Sequence, residues 1–177
     1  GNPQEGYSPS PQERQSWLQI SYMKEAYHTM GPKFTLGWMA EALYSSKNFS
    51  ENYTATMMQA GEFAPTPHSK LMYNEAFRAN QYVAAGIKPI YVLNDMFQFR
   101  TEFYGFTPIF PIKKNALNKA YYGKAFSRFE YMGEVSVICH LPFGAISAYV
   151  NHYSSPKREW NVGLSIGWQL FNYRFIE

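Results

Sequence analysis

Along much of the chain hydrophobic and polar residues alternate one for one, and the pattern is cleanest near the end. Trp160, Val162, Leu164, Ile166, Trp168 and Leu170 take every second position, with Asn161, Gly163, Ser165, Gly167 and Gln169 between them. A period of two sends successive side chains to opposite faces of a β-strand. The same alternation sets Phe97, Phe99 and Phe103 against Gln98, Arg100 and Glu102, and Phe129, Tyr131, Val135 and Val137 against Arg128, Glu130, Glu134 and Ser136. Upstream, Phe34, Leu36, Trp38, Ala40 and Ala42 oppose Thr35, Gly37, Met39 and Glu41, and Leu18, Ile20 and Tyr22 oppose Gln19, Ser21 and Glu25. Residues 71–91 read as one long strand, with Phe77, Val83 and Ile87 opposite Arg78, Asn80 and Lys88, and with an end or a bulge at Pro89. Ile146, Ala148 and Val150 add a strand, and residues 53–58 another. The pattern predicts an all-β chain of about eight strands, the smallest usual size of an outer-membrane barrel, with no helix of useful length.

Between these strands the connections alternate in character. Leu93-Asn94-Asp95 and Leu141-Pro142-Phe143-Gly144 are short, whereas 107–120, with Pro108 and Pro111, and 62–69, with Pro65 and Pro67, are long. Turns at one end and loops at the other are the connectivity of an antiparallel up-and-down transmembrane β-barrel, whether these strands close alone or belong to a larger one. Residues 1–15 carry Pro3, Pro9 and Pro11 without periodicity and read as a flexible linker, which assigns the barrel domain to residues 16–177.

Alternation does not say whether the apolar face meets a core or lipid, since soluble lipocalin-type barrels alternate too. Composition bears on the choice: 19% of residues are aromatic and only 16% charged, against about 25% charged in ordinary soluble domains. A mean hydropathy of −0.39, with no apolar run near the ~18 residues a spanning helix needs, leaves strands as the only route across a membrane. The net charge of +3 is small and scattered, which excludes a nucleic-acid face. On the polar face Asn, Gly, Ser and Gln of the last strand suit a crowded barrel interior. Glu25, Glu41, Arg78, Arg100, Glu102, Arg128, Glu130 and Glu134 supply both signs for ion pairs there, as buried charges require. The opposite face, with Trp160, Val162, Leu164, Ile166, Trp168 and Leu170 as its clearest stretch, is expected to face lipid, its aromatics forming girdles toward the strand ends.

Candidate chemistry changes this picture little. Gly163-Leu164-Ser165-Ile166-Gly167 fits the nucleophile-elbow pattern, but an elbow needs a sharp strand-to-helix turn, and here alternation runs straight through. His28, His68, His140 and His152 lie in different segments without the spacing of a metal site, and Cys139 is the single cysteine. The chain is therefore expected to carry no catalytic site, metal or other cofactor. A Ser, a His and a carboxylate meeting on the barrel wall, with His140 or His152 near a Ser, is the remaining route to catalysis.

The ending, Trp160 through Tyr173-Arg174-Phe175-Ile176-Glu177, resembles the terminal strand that barrel-assembly machinery reads, with two residues after its late aromatic. The run from Pro67-His68-Ser69 through Tyr104-Gly105-Phe106 to Phe143-Gly144-Ala145 and the last strand resembles the C-terminal barrel of outer-membrane patatin-like phospholipases of the surface-antigen type. That resemblance implies a location in the cell outer membrane, an anchoring or translocating role, and a catalytic or passenger domain N-terminal to the barrel. It implies no catalytic half within this chain, which has no Asp-Gly pair. Two other readings stay open: a soluble lipocalin-like barrel binding an apolar ligand, and a barrel-borne lipid hydrolase.

Overall fold

A computed structural model describes residues 16–50, 52–70, 73–155 and 160–168. Seven strands form one antiparallel sheet, each beside its predecessor among the seven. They are β1 (Gln19–Thr29), β2 (Phe34–Ser45), β5 (Gln81–Val92), β6 (Phe97–Pro108), β9 (Glu130–Leu141), β10 (Gly144–Tyr153) and β11 (Trp160–Trp168). The remaining elements sit in the connections: β3 (Gly61–Glu62) pairs with β4 (Arg78–Ala79), and β7 (Ile112–Lys114) with β8 (Ala120–Tyr122). The predicted all-β, up-and-down antiparallel architecture is thus present as a sheet, and that sheet is not closed into a barrel.

One end of the sheet carries tight turns. Between β1 and β2 the chain reverses at Gly31, whose φ of 127° is open to glycine at little cost. Between β5 and β6, Asn94 Oδ1 accepts from the N–H groups of Met96 (2.9 Å) and Phe97 (2.8 Å), holding the turn. Only Pro142 and Phe143 separate β9 from β10. At the other end lie the long connections, residues 46–80 and 109–129.

Residues 53–58, predicted as a strand, fall instead in the helix α1 (Tyr53–Gln59). The Asn52 side chain caps it by accepting from Ala55 N–H (2.8 Å), and Thr56 Oγ1 bonds back to Asn52 O (2.9 Å). Here Tyr-Thr-Ala-Thr imitates a strand in composition while its cap starts a helix. A second helix, α2 (Pro67–Lys70), and a 3-10 turn (Glu75–Phe77) complete the 46–80 connection. The long strand predicted over 71–91 is therefore this turn, β4 and β5 in succession. Pro89 lies inside β5, and the pairs between β5 and β6 break at positions 88 and 89 because Pro89 has no N–H to give.

The core lies on one face only. The 46–80 connection folds back so that Phe63 and Phe77 pack against Tyr82, Tyr104, Phe106, Met132 and Tyr153 of the sheet. Ring centroids from Phe63 to Tyr104 and to Phe106 are both 5.9 Å apart, and from Tyr82 to Phe106 4.9 Å. We call this the covered face and the opposite one the bare face.

Candidate functional site: two faces of opposite polarity

Strand register fixes which residues share a face. Across five strands the covered face carries a polar row. Glu102 lies opposite Glu134, Glu134 opposite Asn151, and Asn151 opposite Asn161, with Lys88 at the matching position of β5. One step toward the turn end, Arg100, Ser136, Tyr149 and Gly163 form the next row.

Of the eight charged residues singled out in the sequence, Glu25, Glu41, Arg100, Glu102, Glu130 and Glu134 lie in sheet strands on the covered face. Arg100 Nη2 approaches Glu102 Oε1 at 3.4 Å, and Tyr104 donates its hydroxyl to the same oxygen at 2.7 Å. Tyr82 donates to Glu41 at 2.6 Å, and Glu25 pairs with Lys88. Glu134 Oε2 is buried and has no hydrogen-bond partner. The other two lie off the sheet strands. Arg78, in β4, pairs with Glu62 (2.8 Å) and lies 4.8 Å from the Tyr73 ring. Arg128, before β9, donates to Ala76 O (2.9 Å), with its Nε 3.9 Å from Glu130. Arg128 thereby ties the 46–80 connection to the start of β9, and Arg78 braces the connection from within. A cleft of about 350 Å³ remains beside the polar row, lined among others by His68, Arg100, Glu102, Glu134, Ser136 and Tyr149.

The bare face is of another kind. From β2 to β11 its register positions hold no Asp, Glu, Lys or Arg among the described residues. Large apolar side chains there are open: Leu164 is 76% exposed, Val162 77%, Trp160 72%, Ile166 63%, Ile87 50% and Phe103 48%. Trp168 lies opposite Gly144 at the end of β11, and Leu170 lies outside the described residues. So does the proposed linker of residues 1–15. Aromatic residues gather near both strand ends, Tyr91, Phe97 and Phe99 at the turn end and Tyr44, Phe129, Tyr131 and Trp160 at the loop end. In edge strand β1, Lys24 and His28 do face this side, both beside Trp38, with the Lys24 ammonium 5.7 Å from the ring.

Sequence reasoning set Lys88 on the polar face without naming it among the charged partners, and it missed Tyr82 and Tyr104 on that face and Asn151 between β9 and β11. Period two alone would have placed these last three there. Ser165 stands within β11 opposite Ser147, in continuous strand with no helical turn. His140 lies 3.3 Å from Gln98, and the His68 ring nitrogen 2.8 Å from the Tyr153 hydroxyl.

At the loop end of β10, Ser154 donates its hydroxyl hydrogen to Glu130 and accepts from the Tyr131 N–H at 2.9 Å. His152, two residues earlier, has its ring 4.7 Å from Trp160 and 5.9 Å from Tyr131. It shares a bare-face groove of about 230 Å³ with Phe103, Val135 and Val150.

The fold and its faces define a class: an open antiparallel β-meander with an apolar face and a face that carries charged side chains. No family model, curated protein or solved structure matches the chain.

Proposed function

We propose that the chain is a membrane-embedded portion of an outer-membrane β-barrel, acting as an anchor or translocator. The bare face carries the proposal. Water-soluble proteins rarely leave contiguous apolar patches beyond a few hundred Å², and here the large side chains of six adjacent strands lie open without one charge among them. Lipid would satisfy that face, and strands of 9–12 residues match the about 9–11 that a tilted span needs. A soluble barrel for an apolar ligand would turn its apolar face inward. In this fold the connection covers the charged face instead. The pattern resembles the C-terminal barrel of patatin-like phospholipases, and on that reading the partners are outer-membrane lipid, the barrel-assembly machinery and an N-terminal passenger or catalytic domain. The test is purification with and without detergent, followed by flotation with lipid vesicles. A strand-rich chain that stays dispersed only in detergent and floats with vesicles supports the reading. A monodisperse chain in plain buffer that ignores vesicles refutes it.

One observation favours a second reading, the barrel-borne lipid hydrolase. Ser154 has a carboxylate on its hydroxyl and His152 two residues away beside an apolar groove, on the side assigned to lipid. Ester or phospholipid turnover in detergent, lost in both Ser154→Ala and Glu130→Gln, would establish it. Turnover no higher than background would remove it.

A further inference from the structure

Among the described residues the two outermost strands of the sheet, β1 and β11, are open edges, and their relative direction limits what can close it. Each neighbour in the order β1-β2-β5-β6-β9-β10-β11 is antiparallel to the next. Strands one, three, five and seven of such a series point the same way, so β1 and β11 are parallel to each other. Both are long, eleven and nine residues, and ten of the eleven residues of β1 are exposed. In lipid an open edge is untenable, because its backbone N–H and C=O groups have no water to bond.

We infer that β1 and β11 are docking edges for an odd-numbered block of further spanning strands, whose two outer strands run antiparallel to β1 and β11. The inference rests on the barrel reading above. Self-closure would require a parallel β1–β11 seam. A second copy inserted in the same direction is related by rotation about the membrane normal, so β1 of one would meet β11 of the other, again parallel. Seven plus an odd number gives the even count of antiparallel bacterial barrels. The block must alternate, with apolar side chains continuing the line of Ile20 and Tyr22 at one seam and Leu164 and Ile166 at the other. Its inward side chains must be small or polar, facing Gln19, Ser21 and Glu25 at one seam and Asn161, Gly163 and Ser165 at the other.

The experiment uses the full chain in detergent micelles, with Cys139→Ser as background. Cysteine pairs are placed in β1 and β11 (Tyr22→Cys with Leu164→Cys, and Ile20→Cys with Val162→Cys), and amide exchange is read strand by strand. No β1–β11 disulfide is expected, within a chain or between chains, and β1 and β11 should exchange at least 100-fold faster than β5 and β6. Two extensions ahead of residue 1 sharpen the parity. A copy of Gly144–Tyr153, one strand running in the required direction, should slow exchange in β1 and β11. A copy of the hairpin 130–153, two strands, should leave at least one of these edges fast. A β1–β11 disulfide of either kind, protection of both edges by the hairpin, or no effect of the single strand would overturn the inference. A chain that needs no detergent would overturn the barrel reading instead.

Discussion

The covered face holds charges and the bare face, from β2 to β11, holds none among the described residues, yet the covered face is the one with a packed core. In a water-soluble sheet the core gathers the apolar side and charges face solvent. Here Tyr82, Tyr104 and Phe106 are fully buried beside Glu41 and Glu102, while Leu164 and Ile166 stand open. Aromatic residues therefore do two jobs in this chain, which composition alone does not separate. On the covered face they hold a connection down and satisfy carboxylates through phenol hydroxyls. On the bare face they meet one another, as Phe103 and Tyr131 do, and otherwise the surrounding medium.

Substitutions can break this contrast. Phe106→Ala removes a buried ring between Phe63, Phe77 and Tyr82. It should cost about 3–5 kcal/mol, measured by urea unfolding in vesicles or micelles, whereas Phe103→Ala on the bare face should cost much less. Equal losses would mean that the two faces are not distinct. On β11, Leu164→Arg should cost about 2–4 kcal/mol if that position is near the bilayer midplane, and Ser165→Arg much less. A penalty at 165 that matches the one at 164 would contradict the assignment of faces.

Smaller effects sharpen the account of the covering connection. Asn74 accepts from Ala76 N–H (3.0 Å) and donates to Ser155 O (2.9 Å), joining the connection to the end of β10. Asn74→Ala should cost about 1 kcal/mol as a lost cap and raise the susceptibility of the connection to protease, with the strands still protected. The smallest effect concerns pH. Burial, then Glu75, raises the phenol pKa values of Tyr53 and Tyr73 in this connection. A raised folded-state value means that the neutral phenols favour the folded connection at full strength below the ordinary value near 10, and that the contribution is lost as pH rises through the folded values. Protease sensitivity of the connection should therefore grow only in that alkaline range, and less so in the double variant Tyr53→Phe with Tyr73→Phe.

Strands were legible in the sequence because a face in one medium imposes period two. β2, β6, β9, β10 and β11 all carry it. The 46–80 connection was not legible, because its buried residues Met57, Phe63, Ala76 and Phe77 fall at irregular intervals set by where a loop touches the sheet. Asn52 ahead of Tyr53-Thr54-Ala55 was the one local signal of a helix start. The covered-face charges could be named from the alternation, but their partners could not. Glu25 meets Lys88 sixty-three positions away, and Arg78 turns to Glu62 within the connection. Ser154 beside Glu130 is likewise a product of register, with nothing local to announce it.

What touches the bare face decides the membrane reading, and Trp38 reports on it from β2. With Trp17, Trp160 and Trp168 replaced by Phe, the remaining tryptophan is read in vesicles whose acyl chains carry bromine at defined depths. Strong quenching of Trp38 by brominated lipid, lost when ordinary lipid is substituted, is the predicted result. Fluorescence unaffected by bromine, with quenching by water-soluble iodide instead, would place the bare face in water and contradict the membrane reading.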